Sequence, residues 1–230
     1  METIIQLDKE LLLWLNSYHT PFLDVLMMIF TRKEFWIPLY LVLLYQIYKS
    51  KGKEALWWIA GIFLMIFLCD QISTQLFKNV FQRLRPSHDP SLSNMVHLVS
   101  GYKGGKYGFV SSHAANTFGF AIFTSLLFKN RLYALFAFTW SLLIIYTRLY
   151  LGVHFPGDVL GGMILGVIVG YVIYKLTKWG IGKRGIRSNK SLLVRSKMAY
   201  SSVYLLIAVC AVEILTISLV VKKLIKYGLF

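Results

Sequence analysis

Eight side chains in three short stretches could together move a phosphoryl group. KNVFQRLRPS (78–87) supplies Lys78 and Arg85, and GFVSSHAANTFGF (108–120) supplies Ser111, Ser112 and His113. TRLYLGVHFPGD (147–158) supplies Arg148, His154 and Asp158. Lysine and arginine neutralise phosphate oxygens, and arginine can grip two at once. A histidine backed by a carboxylate can attack phosphorus, and a second histidine can protonate the departing oxygen. Cations aimed at the charge that builds in the transition state lower its energy.

Each stretch alone admits a plainer reading. Lys78 and Arg85 are seven residues apart, which predicts one face of a two-turn helix with Arg83 off that face. Cations so placed also snorkel at a membrane edge. Ser111 or Ser112 suits the N-cap of a helix beginning near His113, and a helix start attracts phosphate. An ordinary cap followed by an unrelated histidine fits the same residues. Pro156 suits a first helical turn. If the helical path extends back to His154, Asp158 can accept the imidazole N–H and fix its tautomer. A satisfied polar contact at a helix start has the same signature. Three plain readings sit badly together, because the hydropathy pattern brings all three stretches to one membrane face.

The elements that must position these residues are apolar helices. The chain has 230 residues, 57% hydrophobic and 15% charged. Its mean hydropathy is +0.59, far too apolar for a soluble domain. A crossing helix needs roughly 20 mostly apolar residues. Candidates lie at 33–49, 55–77, 114–129, 132–150, 157–176 and 199–221. The expected fold is therefore all-α, a polytopic transmembrane helical bundle of five to six spans. An amphipathic interfacial segment is expected at 1–31, where Asn16, His19, Pro21 and Asp24 interrupt the apolar run. His19 and Asp24 read as polar interface residues. Residues 32–176 then form a catalytic transmembrane core, 177–198 a basic cytoplasmic loop, and 199–230 a C-terminal transmembrane helix and tail.

Smaller features fill in this outline. Gly162, Gly166 and Gly170 recur every fourth residue, a smooth strip for close helix packing. The start METIIQLDKE carries three acids and one lysine, a poor signal peptide, so internal segments are expected to drive insertion. Cys69 and Cys210 lie in apolar runs and read as core residues. Glu213 is an intramembrane acid, expected at a helix contact or facing a cavity.

The net charge of +15 has two sources, loop bias and an anion site. Its cations sit mostly in short loops between apolar helices, which argues against nucleic acid. The stretch KLTKWGIGKRGIRSNKSLLVRSK (175–197) holds eight Lys and Arg and no acid. Cytoplasmic loops collect such residues. Alternation then sets 78–112 and 148–156 on the opposite side, facing the periplasm or exterior of a cell (inner) membrane.

The three stretches resemble the signature of the type 2 phosphatidic acid phosphatase family of integral-membrane lipid phosphatases. The family's first motif is a lysine, six residues, then Arg-Pro, matched by Lys78 and Arg85-Pro86. Its second, Pro-Ser-Gly-His, is matched by Val110 to His113. Its third is Ser-Arg, five residues, His, three residues, Asp, matched by Thr147-Arg148, His154 and Asp158. Order and spacing agree throughout. Val110, Ser112 and Thr147 depart from proline, glycine and serine, which bears on substrate preference and leaves the charged and imidazole groups intact. The resemblance implies a metal-independent phosphatase without a cofactor. His154 would take the phosphoryl group as a phosphohistidine, oriented by Asp158, and His113 would protonate the leaving group. Lys78, Arg85, Ser111, Ser112 and Arg148 would hold the phosphate.

The implied partners are a phosphorylated membrane lipid and the bilayer itself. Undecaprenyl pyrophosphate, phosphatidylglycerophosphate, phosphatidic acid and lipid A phosphates all present a suitable group, with a bacterial envelope lipid favoured. Three other readings use parts of the pattern. A metal hydrolase wants several oxygen ligands, but only Asp158 and Asp89 lie near the motifs. A non-catalytic lipid-phosphate binder or transporter would need cations without a nucleophile–acid pair. A phosphotransferase of the same family would pass the phosphoryl group to a second lipid in place of water.

Overall fold

The structure, a computed structural model, describes residues 2–92, 94–183 and 198–228. Nine α-helices run through the described residues: α1 (Glu2–Asn16), α2 (Pro21–Phe30), α3 (Ile37–Lys51), α4 (Ala55–Gln71), α5 (Asn79–Phe81), α6 (Ser112–Phe128), α7 (Arg131–Tyr150), α8 (Pro156–Lys183) and α9 (Tyr200–Lys226). A π-helical segment, Ile72–Lys78, joins α4 to α5. Among the described residues the only strand-like feature is one bridge between Leu84 and Tyr107. The all-α expectation holds.

Local chemistry sets the helix ends. Thr20 caps α2, accepting from Leu23 N–H, with Pro21 in the first turn. Asn130 caps α7, accepting from Leu132 and Tyr133, and donates across to the Met198 carbonyl at the head of α9.

Four helical runs are long and apolar enough to cross a membrane: Lys33–Phe81, Arg131–Tyr150, Pro156–Lys183 and Tyr200–Lys226. The first run contains two spans, α3 and α4, because the chain turns back at Gly52–Glu54 between them. With α6, a 17-residue apolar helix, the span count agrees with the expected five to six. Leu160, Ile164 and Ile168 face outward along α8, as suits a helix surface turned toward lipid.

The glycine strip lies on the opposite side of α8 and packs against α6. A Cβ on Gly162 would meet the Ser111 carbonyl, and one on Gly166 would meet the Ala115 carbonyl. This contact brings the start of α6 beside the start of α8, which is where two of the three motifs lie. Cys69 and Cys210 are buried and free, as expected. Glu213 lies against the start of α3 and lines a groove with Phe35 and Pro38, which agrees with the expected cavity-facing position.

Two boundaries differ from the expectation. α8 continues to Lys183, so 177–183 is helix rather than loop. Apolar residues such as Ile181, which is buried, carry the helical pattern past 176. The rest of the basic stretch, 184–197, lies outside the described residues. At the other end, the expected amphipathic segment at 1–31 forms two helices, α1 and α2, but α2 is not confined to an interface. Leu26, Met27 and Phe30 are buried in the main core, so the pair is part of the bundle. His19 stacks on His97 with ring centroids 3.8 Å apart. Asp24 accepts from Tyr150 Oη at 2.6 Å and lies 3.0 Å from His97 Nε2.

Candidate active site

The first motif is not one helix face. π-Helix is rare and concentrates at functional sites, because each insertion rotates the following side chains. Here it delivers Lys78 inward, and Lys78 Nζ donates to Ser112 Oγ. Helix then stops: Gln82 is left-handed at φ 48°, and Arg85 is extended at φ −71°, ψ 156°. Residues 83–85 pair with 106–108 through Arg85 N–H to Lys106 O (3.0 Å) and Gly108 N–H to Arg83 O (2.9 Å). The two-turn spacing of Lys78 and Arg85 therefore reflects a helix end plus an extended return. Arg85 is 9% exposed, and its Nε donates to the Tyr107 carbonyl at 3.1 Å. Burial, and then the nearby Arg148 charge, pull its pKa down to about 10, so it stays cationic at neutral pH.

The second motif starts α6 as expected. Ser111 is the N-cap: its Oγ accepts from Ala114 N–H, and its own N–H donates to the Asp158 carbonyl at 2.9 Å. Ser111 thus ties the starts of α6 and α8 together. Ser112 Oγ receives Lys78 and lies 2.7 Å from Ser73 Oγ. The first-turn amides of Ser112 and His113 have no acceptor within the helix, as at any helix start.

The third motif spans the end of α7 and the start of α8. Arg148 is 2% exposed. It donates to Thr31 Oγ1 at 2.6 Å and to Tyr102 Oη at 3.3 Å. Its buried Nε has no hydrogen-bond partner among the described residues, so that donor is left for an anion. His154 precedes the helix rather than joining it, since α8 begins at Pro156. Asp158 folds back instead. Its Oδ2 accepts from Phe155 N–H at 3.0 Å, half of a capping box, and lies 3.4 Å from His154 Nδ1. That separation is longer than a closed hydrogen bond, consistent with an unpartnered Nδ1. Burial, then Arg85, Arg148 and Lys78, hold His154 well below the usual imidazole pKa. It is neutral at pH 7, the state in which a ring nitrogen can attack.

Several residues that the motif reading did not select complete the site. Arg83, expected off the active face, donates to Asp158 Oδ1 at 2.9 Å and to Asp8 Oδ2 at 2.6 Å. Asp8 also accepts from Gly157 N–H at 2.7 Å. The N-terminal helix thereby clamps the start of α8 from 149 residues away in sequence. Arg83 and Arg85 are two apart, and extended chain aligns them, whereas a helical path would set them apart. For Asp8, Thr31 and Tyr102 nothing local in the sequence points to the site. Gly108 passes so close that a Cβ there would sit 2.6 Å from Asp158 Oδ2.

Arg83 touches the carboxylate rather than the phosphate position, so its loss should appear in kcat. Arg83→Gln is expected to lower kcat by about tenfold, roughly 1.4 kcal/mol of barrier, with little change in KM. Steady-state kinetics check this; a rise in KM alone would move Arg83 onto the substrate.

Among the described residues, no group of three His, Cys, Asp or Glu side chains comes together to hold a metal. A cavity of about 710 Å³ opens beside the motifs, with His113, Asn116 and Thr117 on its wall. Beyond them its lining is mostly apolar, including Leu43 and Ile47 of α3, Ile62 and Ile66 of α4, and Ile144 of α7. Of the motif residues His113 lines this groove, and Thr31, which accepts from Arg148, lines it too; an apolar groove with a few polar groups on its wall is an arrangement suited to a lipid phosphate.

The comparisons with known proteins agree with this geometry. The PAP2 superfamily model matches residues 55–181. The chain is 40% identical over 177 residues to the Lipid A 4'-phosphatase of Porphyromonas gingivalis, covering 76% of this chain and 75% of that protein. It is 40% identical over 176 residues to the protein of the same name from Bacteroides thetaiotaomicron, covering 76% and 78%. The crystal structure of Aquifex aeolicus LpxE superposes with a TM-score of 0.55 at 27% identity, over 74% of this chain and 95% of that one. The chain belongs to the PAP2 superfamily. It is an integral-membrane lipid phosphatase, the class that the three motifs implied.

Proposed function

We propose that the chain removes the 4'-phosphate of lipid A by two displacements at phosphorus. His154 Nε2 forms a bond to phosphorus as the bond to the lipid oxygen breaks, and His113 gives that oxygen its proton. Water then attacks the phosphohistidine, His113 takes a proton from it, and the N–P bond breaks to release phosphate. Asp158, held by Arg83, orients His154. Lys78, Arg85, Arg148, Ser112 and the α6 amides carry the phosphate charge, with Ser111 fixing the start of α6. The observation that carries this reading is the His154–Asp158 contact together with the buried Arg148, whose partner Thr31 lines an apolar cavity with His113. The two relatives named Lipid A 4'-phosphatase support the choice of lipid.

The test is phosphate release by purified chain from lipid A in neutral detergent, with the remaining phosphate located by mass spectrometry. Loss from the 4' position in excess chelator is expected, because cations and histidines do the chemistry. Loss from another position, or activity that returns only with added metal, contradicts the reading.

The same reading sets the site at the outer face of the inner membrane, supported by the basic stretch at 175–197. In intact cells, a cysteine replacing Gly104 should react with an impermeant thiol reagent, and one replacing Lys190 should be shielded. The reverse pattern would put the site in the cytoplasm.

A further inference from the structure

Three charged residues line the cavity beside the motifs, and none belongs to a motif. Arg32, Lys33 and Glu34 form the turn between α2 and α3. All three are exposed. Among the described residues no ion pair is formed by Arg32 or Lys33. Two cations against one carboxylate leave the turn net positive. The turn is also fixed in place. Thr31, the residue before Arg32, accepts from Arg148 at 2.6 Å. Trp36, just after Glu34, is 1% exposed and packs edge-on against Trp140, ring centroids 5.8 Å apart. One residue, Thr31, therefore separates Arg148 from the Arg32–Lys33 pair, and Thr31 lines the cavity beside that pair.

Exposed cations near a membrane often only meet headgroups, but these line the same pocket as His113 and the Arg148 partner Thr31. Arginine offers a planar fork for phosphate, and lysine adds a mobile point charge. We propose that Arg32 and Lys33 form a second anion subsite, which takes a second phosphate monoester on the same lipid molecule and selects bis-phosphorylated over mono-phosphorylated substrates. The inference rests on the lipid A reading above. Thr31 links the two subsites, so occupancy of the second positions Arg148 at the first.

The test compares kcat/KM on lipid A carrying both phosphates with kcat/KM on the form carrying only the 4'-phosphate. Assays use neutral detergent, for the parent and for Arg32→Gln/Lys33→Gln. The parent ratio should favour the bis-phosphate by at least about tenfold, one guanidinium–phosphate contact or roughly 1.4 kcal/mol. The double variant should bring that ratio close to one. Because the readout is a ratio, partial loss of folded protein cancels. Equal parent rates on the two lipids overturn the subsite while the lipid A reading stands. Equal losses on both lipids make the pair a general attraction for anions and overturn it as well. A parent chain inactive on both lipids overturns the lipid A reading and the subsite together. A second arm adds an anionic phospholipid to the micelles. Stimulation of the mono-phosphate reaction in the parent alone would assign the subsite to a neighbouring lipid, against the proposal.

Discussion

His154→Ala is expected to lose at least about 10⁴-fold in kcat/KM on every phosphate substrate, over roughly 5 kcal/mol of barrier. The reason is covalent: if His154 makes the bond to phosphorus, no choice of leaving group restores it. The surroundings favour that role. The ring is 1% exposed, held neutral by burial and by Arg85, Arg148 and Lys78. Its Nδ1 lies toward Asp158, which leaves Nε2 to attack. The same cations that lower its pKa are the ones a phosphate offsets on binding, so the site exchanges one electrostatic partner for another. The pH profile follows with a definite sign. A depressed pKa keeps His154 unprotonated across the neutral range, so protonation of His154 itself removes activity only well below the usual imidazole pKa near 6.5. Kinetics of the variant on alkyl and aryl phosphates check the mutational result. Rescue by an aryl phosphate would exchange the roles of the two histidines.

His113→Ala should behave differently, and its deficit should depend on the leaving group. His113 sits in the first turn of α6, at the cavity wall. A sugar or lipid alkoxide is a poor leaving group and needs a proton, a contribution of about 10² to 10⁴-fold from general acid catalysis. A nitrophenolate leaves without help. The variant should thus lose about 10²-fold or more in kcat/KM on the lipid, yet recover most of that on nitrophenyl phosphate. Recovery should be confined to kcat/KM, which reports only the first displacement when that step is irreversible. The second displacement still wants a base for water, so kcat stays low and a burst of nitrophenolate should precede slow turnover. Equal deficits in kcat/KM on the two substrates would remove His113 from the acid role.

The parts of the site that are legible in the sequence are those whose partners lie within a few residues. Pro156 and Ser111 mark helix starts through local backbone chemistry, and both starts are where they were expected. The Gly162–Gly166–Gly170 strip announces a close helix contact, and that contact is what sets Ser111 N–H on the Asp158 carbonyl. Legibility ends where a position depends on tertiary contact. Lys78 and Arg85 fit a helical period, but the left-handed turn at Gln82 and the pairing of 83–85 with 106–108 break the helix between them. No local rule overrides a seven-residue spacing that happens to fit two turns. Asp8 and Thr31 are harder still, since each reaches its arginine across more than seventy residues of chain. An N-terminal segment that looks merely amphipathic turns out to brace both Asp158 and Arg148.

Trapping a covalent phosphoryl group on His154 is the most direct measurement. His113→Ala is the best vehicle, because an aryl phosphate bypasses the first proton while the hydrolysis of the intermediate lacks its base. The variant would be mixed with labelled nitrophenyl phosphate, quenched in alkali during the burst, digested and mapped. The expected result is a base-stable, acid-labile label on the peptide containing His154, equal in amount to the burst. It should be absent when His154→Ala is added to the variant. A full nitrophenolate burst with no label on protein, or label on a different residue, would contradict the assignment.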